Sequence, residues 1–127
     1  MNRIILIIAA IFFTGLAAMM WFAPQYWYDN TPGVSLMGPF NLHFILDAAL
    51  AFFASGLAIF WGLAKQDKTA LVFGAFWPCL HAVFHIWIWI GMRGMPFDHI
   101  AAANLFGIQM PAWLAMFAAL KTKRAAL

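Results

Sequence analysis

The sequence predicts an all-α integral membrane protein, an up-down four-helix bundle forming one transmembrane domain over residues 1–127 with both termini inside. Three observations predict it. Apolar residues make up 66% of the chain and charged residues only 9%, against roughly 25% charged in a soluble domain. Four apolar runs, at 4–23, 42–64, 69–92 and 100–120, each reach the roughly 20 residues that cross a bilayer as a helix. The basic residues gather at alternate ends of those runs. This composition excludes a soluble globular domain and a disordered chain, and a lone cysteine, Cys79, excludes a disulfide-stapled scaffold. A net charge of +3 confined to helix ends gives no footprint for nucleic acid. The expected surroundings are a lipid bilayer.

The first run, 4–23, has Thr14 as its single polar side chain. It follows Arg3 but is longer than the apolar part of a signal peptide, so it reads as a retained first helix. Residues 24–41 form an outward loop, with Pro32-Gly33 as a tight turn in which glycine supplies the positive φ. This loop is expected to lie as a lid on the outer mouth of the bundle. Asn41, after Gly38-Pro39, is placed to cap the second helix, which carries His43, Asp47 and Ser55. Asp67 caps the third, which holds Pro78, Cys79, His81 and His85. Asp98, after Pro96, caps the fourth, which holds Asn104, Gln109 and Pro111. Strands of a membrane barrel would be about half as long and would alternate, unlike these runs.

Charge sets the expected topology. Arg3, Lys65, Lys68, Lys121, Lys123 and Arg124 fall on one side of a four-span chain, and Arg93 alone on the other. Positive charge is retained inside, which puts both termini in the cytoplasm and loops 24–41 and 93–99 outside, as in a bacterial inner membrane. Trp21, Tyr26, Trp27, Tyr28, Trp87 and Trp89 then form an outer aromatic belt, with Trp61 near the inner edge.

The histidines concentrate in or beside the outer half. At a rise of about 1.5 Å per residue, His43 lies about 3 Å below the outer boundary, Asp47 and His85 about 9 Å, Asn104 about 8 Å and His81 about 15 Å. His43 and Asp47 are spaced i,i+4, as are His81 and His85, so each pair shares a helical face. Small residues continue both faces, through Ala51, Ser55, Ala58 and Gly62 in one helix and Gly74 and Pro78 in the other. Both pairs are therefore expected to point into the bundle.

Imidazole and carboxylate together are transition-metal ligands, and two helices each offering an i,i+4 pair can build a metal site inside a bundle. The candidate ligands are His43, Asp47, His81 and His85, with Asn104 and Asn41 as supporting partners. A core of Asp47, His85 and one further histidine is the tightest combination by depth. Zn, Cu and Fe all suit such donors, and Met19, Met20, Met37, Met92 and Met95 near the outer face tilt the choice to copper. The competing reading is interhelical hydrogen bonding that holds the helices in register. A b-type haem between His43 and His85 is a lesser possibility, since their depths differ by about 6 Å.

Certain residues carry a resemblance. The stretch Gly38-Pro39-Phe40-Asn41-Leu42-His43-Phe44-Ile45-Leu46-Asp47, then Ala51-Phe52 and Ser55-Gly56, resembles the second helix of small bacterial four-helix membrane proteins. With Phe13-Thr14-Gly15 and Ala23-Pro24 in the first helix, the overall plan is similar to the broad DoxX-like group. That resemblance implies the fold and a membrane address, with some members associated with quinone-linked oxidoreductases. It supplies no catalytic residue. Two functions are expected from the whole: an outward-facing intramembrane metal site serving redox chemistry, metal handling or a larger membrane enzyme, or an accessory subunit of a membrane complex or homo-oligomer.

Overall fold

A computed structural model describes residues 1–122, and Lys123 and Arg124, which enter the charge count, lie outside them. The described residues are helical, without strands. Helix α1 is Asn2–Phe22, α2 is Pro24–Asn30, α3 is Leu42–Lys65 and α4 is Lys68–Trp87. Helix α5 is His99–Asn104 and α6 is Met110–Lys121. A π turn, Ile88–Met92, extends α4, and a second, Leu105–Gln109, joins α5 to α6. The chain thus has four helices long and apolar enough to cross a membrane, Asn2–Phe22, Leu42–Lys65, Lys68–Met92 and His99–Lys121. It is a multi-pass membrane protein.

The expected caps form. Asn41 accepts from the Phe44 amide, Asp67 from the Thr69 and Ala70 amides, and Asp98 from the Ala101 amide. Each satisfies amides that the first turn of a helix leaves without partners. At the opposite end, the Lys68 ammonium donates to the Leu120 carbonyl at 2.6 Å, answering the partial negative charge of the last turn of α6.

Four helices form a closed ring in which α1 packs on α3 and α6, and α4 packs on the same two. Lipid is as apolar as a leucine side chain, so close packing through small residues, rather than water exclusion, selects these contacts. A Cβ on Gly56 would sit 3.1 Å from the Ala10 carbonyl oxygen, and one on Gly74 would sit 2.9 Å from the Ile59 nitrogen. Glycine therefore sets the approach of α3 to α1 and of α4 to α3. Leu6, Ala10, Phe13, Ala17 and Met20 of α1 meet Ile45, Ala49, Phe52 and Ile59 of α3 in the main core, with Phe13 stacked on Phe52. Ala115, Ala118 and Ala119 bring α6 into it.

The fourth span behaves differently along its length. Its C-terminal half buries Ala112, Ala115, Ala118 and Ala119, whereas α5 and the following π turn bury no residue. Pro111 has no amide to give to the preceding turn, which matches the change of helix type just before it.

The loop 24–41 carries more structure than expected. It contains α2 and a short 3-10 turn, Val34–Met37. Trp27, Tyr28 and Phe40 pack on the main core, and the Tyr28 hydroxyl donates to the Gly38 carbonyl at 2.7 Å. The Pro32-Gly33 turn forms with Gly33 at φ 89°, and the Val34 amide closes it on the Thr31 carbonyl.

Candidate functional site

The two i,i+4 pairs form but do not converge. In α3, His43 Nδ1 lies 2.9 Å from Asp47 Oδ2, with the two side chains 86% and 64% exposed. This corrects the expectation that His43 and Asp47 point into the bundle. The inward face of α3 is instead Ile45, Ala49, Phe52, Ser55, Gly56, Ile59 and Gly62. The helix is apolar on nearly every side, so both faces satisfy hydrophobic periodicity. The glycine contact with α1 decides which one turns inward.

In α4, His81 and His85 are half-buried, and their ring centroids are 4.5 Å apart. Their surroundings are aromatic. His81 stacks on Trp77 with centroids 5.1 Å apart and meets Phe52 of α3 edge-on at 5.4 Å, while Phe84 stands edge-on to His85. Among the described residues, no group of three or more His, Cys, Asp or Glu side chains is arranged to hold a metal. The expected core of Asp47, His85 and a further histidine is therefore not assembled. The methionines do not converge either: Met20 is a core residue, and Met19, Met37, Met92 and Met95 are exposed.

Asn104 does reach α4, but through the backbone. Its amide donates to the His85 carbonyl at 3.4 Å, and its Oδ1 accepts from Gln109 Nε2 at 3.0 Å. Gln109 Nε2 also donates to the Ala82 carbonyl at 2.9 Å, and Gln109 Oε1 accepts from Trp113 Nε1 at 3.0 Å. Trp113, Gln109 and Asn104 are thus linked in one ladder along the fourth span, tied to α4 at two carbonyls. Asn41 serves as the cap of α3.

Gln109 and Trp113 were not expected in this cluster. Residues five apart diverge on an α-helix, so Asn104 and Gln109 read as facing apart. The π turn between them closes i to i+5 and aligns the two amides. The available signal is the combination of Gly107, Gln109 and Pro111 within one span.

Loop 93–98 is tied down. Arg93 Nη2 lies 2.7 Å from Asp98 Oδ2, and Trp89 Nε1 donates to the Pro96 carbonyl at 2.9 Å. The Arg93 hydrogen bond, helped by the Ala101 amide, holds the Asp98 carboxyl down at about 2. No protein-family model, curated protein or solved structure matches the chain.

Proposed function

We propose that this chain is an accessory or assembly subunit of a larger membrane complex in a bacterial inner membrane, with both termini cytoplasmic. One observation carries the reading: the His43–Asp47 pair stands exposed on the outward face of a membrane-spanning helix. A charged side chain costs about 2.5–3.5 kcal/mol at the centre of a membrane helix and less towards its end, so a polar pair in the first two turns of α3 still favours a neighbour outside the chain's own bundle. The amide ladder supports the same view, because Asn104 and Gln109 spend their hydrogen bonds on helix packing. Arg3, Lys65, Lys68 and Lys121 support the cytoplasmic termini, and the DoxX-like plan of α1 and α3 agrees with a small membrane subunit. The test is the native mass of the full chain extracted into nanodiscs directly from membranes. A particle larger than one chain is expected, and a monomer at native expression would sink the proposal.

A second reading keeps the metal. His81 and His85 lie side by side against an aromatic wall, an arrangement that supports a two-imidazole half-site for copper, zinc or iron. His43 and Asp47, on the exposed face of α3, take no part in that half-site, and haem b is a lesser occupant. Elemental analysis of untagged protein prepared without chelators decides it, beside a His81→Ala/His85→Ala variant and an absorption scan. Near-stoichiometric metal that disappears in the variant is the expected result, and metal-free protein after loading with each ion would end the reading.

A further inference from the structure

The fourth span is two helices joined at a weak point. Residues 105–111 hold a π turn, Gly107 and Pro111, three features at which helices bend. Pro111 has no amide to give back across the junction, and a Cβ on Gly107 would meet nothing within 4 Å. The two sides of the junction are held unequally. C-terminal to it, α6 packs on α1 and α4, and Ile108 in the π turn seats on Cys79 and Ala82. N-terminal to it, α5 buries no residue and approaches no bundle helix as α6 does. Its last residue, Asn104, donates to the His85 carbonyl at 3.4 Å. At its other end Ile100 lies against Gly33 of the 24–41 loop, where a Cβ would come within 2.7 Å of Ile100 Cγ2.

Two half-buried imidazoles stand beside α5. His85 lies about 40° round α4 from His81, which meets Phe52 of α3, and about 60° from Ala82, which meets the fourth span. Its ring therefore points between α3 and the fourth span. We propose that α5 is a gate, swinging on the π turn to part Asn104 from the His85 carbonyl and uncover His81 and His85, while Ile108 and α6 stay in place. Asn104 is the latch. Its amide joins α5 to α4, and its Oδ1 accepts from Gln109 Nε2, which is itself fixed to the Ala82 carbonyl. Such bonds between membrane helices shift an equilibrium by only about threefold each on average, so the latch can open without unfolding the span. Trp27, Tyr28 and Phe40 anchor the 24–41 loop to the core, so the swing lifts Ile100 off Gly33 and leaves the loop in place. The gate needs neither a partner subunit nor a metal, and it controls access to the two imidazoles in either reading.

The test labels the full chain in lipid nanodiscs with diethyl pyrocarbonate, which acylates accessible imidazoles, and reads each histidine by peptide mass. Exposed His43 sets the reagent scale, and alkylation of buried Cys79, under Ile108, reports whether the foot of the span has moved. Asn104→Leu should speed labelling of His85 by about three- to tenfold, for the one or two bonds lost, with Cys79 unchanged. Gly107→Ala, which fits without a clash and stiffens the junction, should slow it by about two- to fivefold. A His85 rate that Asn104→Leu leaves unchanged, or one that rises together with Cys79, would overturn the gate. So would a Gly107→Ala rate equal to the parent's, because the swing would then not turn on this junction.

Discussion

Gln109 Nε2 and the Ala82 carbonyl oxygen are 2.9 Å apart, joining the fourth span to α4 just inside the point where the fourth span stops being buried. On the C-terminal side of that bond, alanine packing holds α6 in the ring. On the N-terminal side, α5 and its π turn fully bury no residue, and they are tied to α4 by Ile108 packed on Cys79 and Ala82 and by the hydrogen bonds of Asn104 and Gln109. Side-chain packing on α4 is reduced here to Ile108, and the polar ladder substitutes for the rest.

Gln109→Leu tests that substitution. It removes both donor contacts of Nε2 and strips Trp113 of its acceptor. Interhelical hydrogen bonds in membranes are each worth about 0.6 kcal/mol on average and up to about 1.7, so a loss of about 1–2 kcal/mol is expected. Unfolding in mixed micelles measures it. Amide exchange should rise over residues 99–109 and stay unchanged over α1.

The glycines separate by neighbourhood. At Gly74 a Cβ would meet Ile59 Cγ1 at 2.8 Å, the Ile59 nitrogen at 2.9 Å and the Ser55 carbonyl at 3.0 Å, two of them backbone atoms that cannot rotate away. Gly74→Ala must part α4 from α3, with a loss of about 1–3 kcal/mol. At Gly15 nothing lies within 4 Å of the added carbon. Gly15→Ala should gain up to about 1 kcal/mol through helix propensity. The two variants, unfolded side by side, should move in opposite directions.

The four spans and their caps were legible because length, apolar content and the positions of Asn41, Asp67 and Asp98 depend on local chemistry alone. The helix starts and ends fall within two residues of those expected, once the π turn is counted with α4. Facing was not legible for α3. In water an apolar stripe marks the buried side, but in lipid both sides are apolar, and His43 with Asp47 could sit on either. The Gly56 contact with α1 placed them outward. The Asn104–Gln109 link was hidden for another reason, since a π turn changes which residues align and has no strong sequence mark.

The 24–41 loop owes its order partly to one hydroxyl. Tyr28 reaches across the turn to the Gly38 carbonyl, while its ring stands edge-on to Phe40 with centroids 5.6 Å apart. Tyr28→Phe keeps the ring contact and removes the hydrogen bond, for an expected loss of about 0.5–1.5 kcal/mol. Limited proteolysis within 31–40 should speed up by roughly the matching two- to tenfold. An unchanged cleavage rate would show that ring packing alone orders the loop.

The Arg93–Asp98 pair makes loop 93–98 sensitive to acid. Asp98 is held at about 2 by the Arg93 hydrogen bond first and the Ala101 amide second, against an ordinary value of 3.8. A carboxyl lowered by folding stabilises the folded loop above its unfolded value, and that contribution is lost as pH falls from about 4 through about 2. Between pH 5 and 8 the pair should therefore add no pH dependence. Below pH 4 the Ala101 amide should lose protection from exchange, and Trp89, which donates to the Pro96 carbonyl in the same loop, should report loosening by fluorescence. Asp98→Asn should remove this acid transition, leaving the loop at neutral pH already as weakened as the acidified parent, because the amide cannot form the ion pair with Arg93. A variant that kept the transition would assign it to another carboxylate.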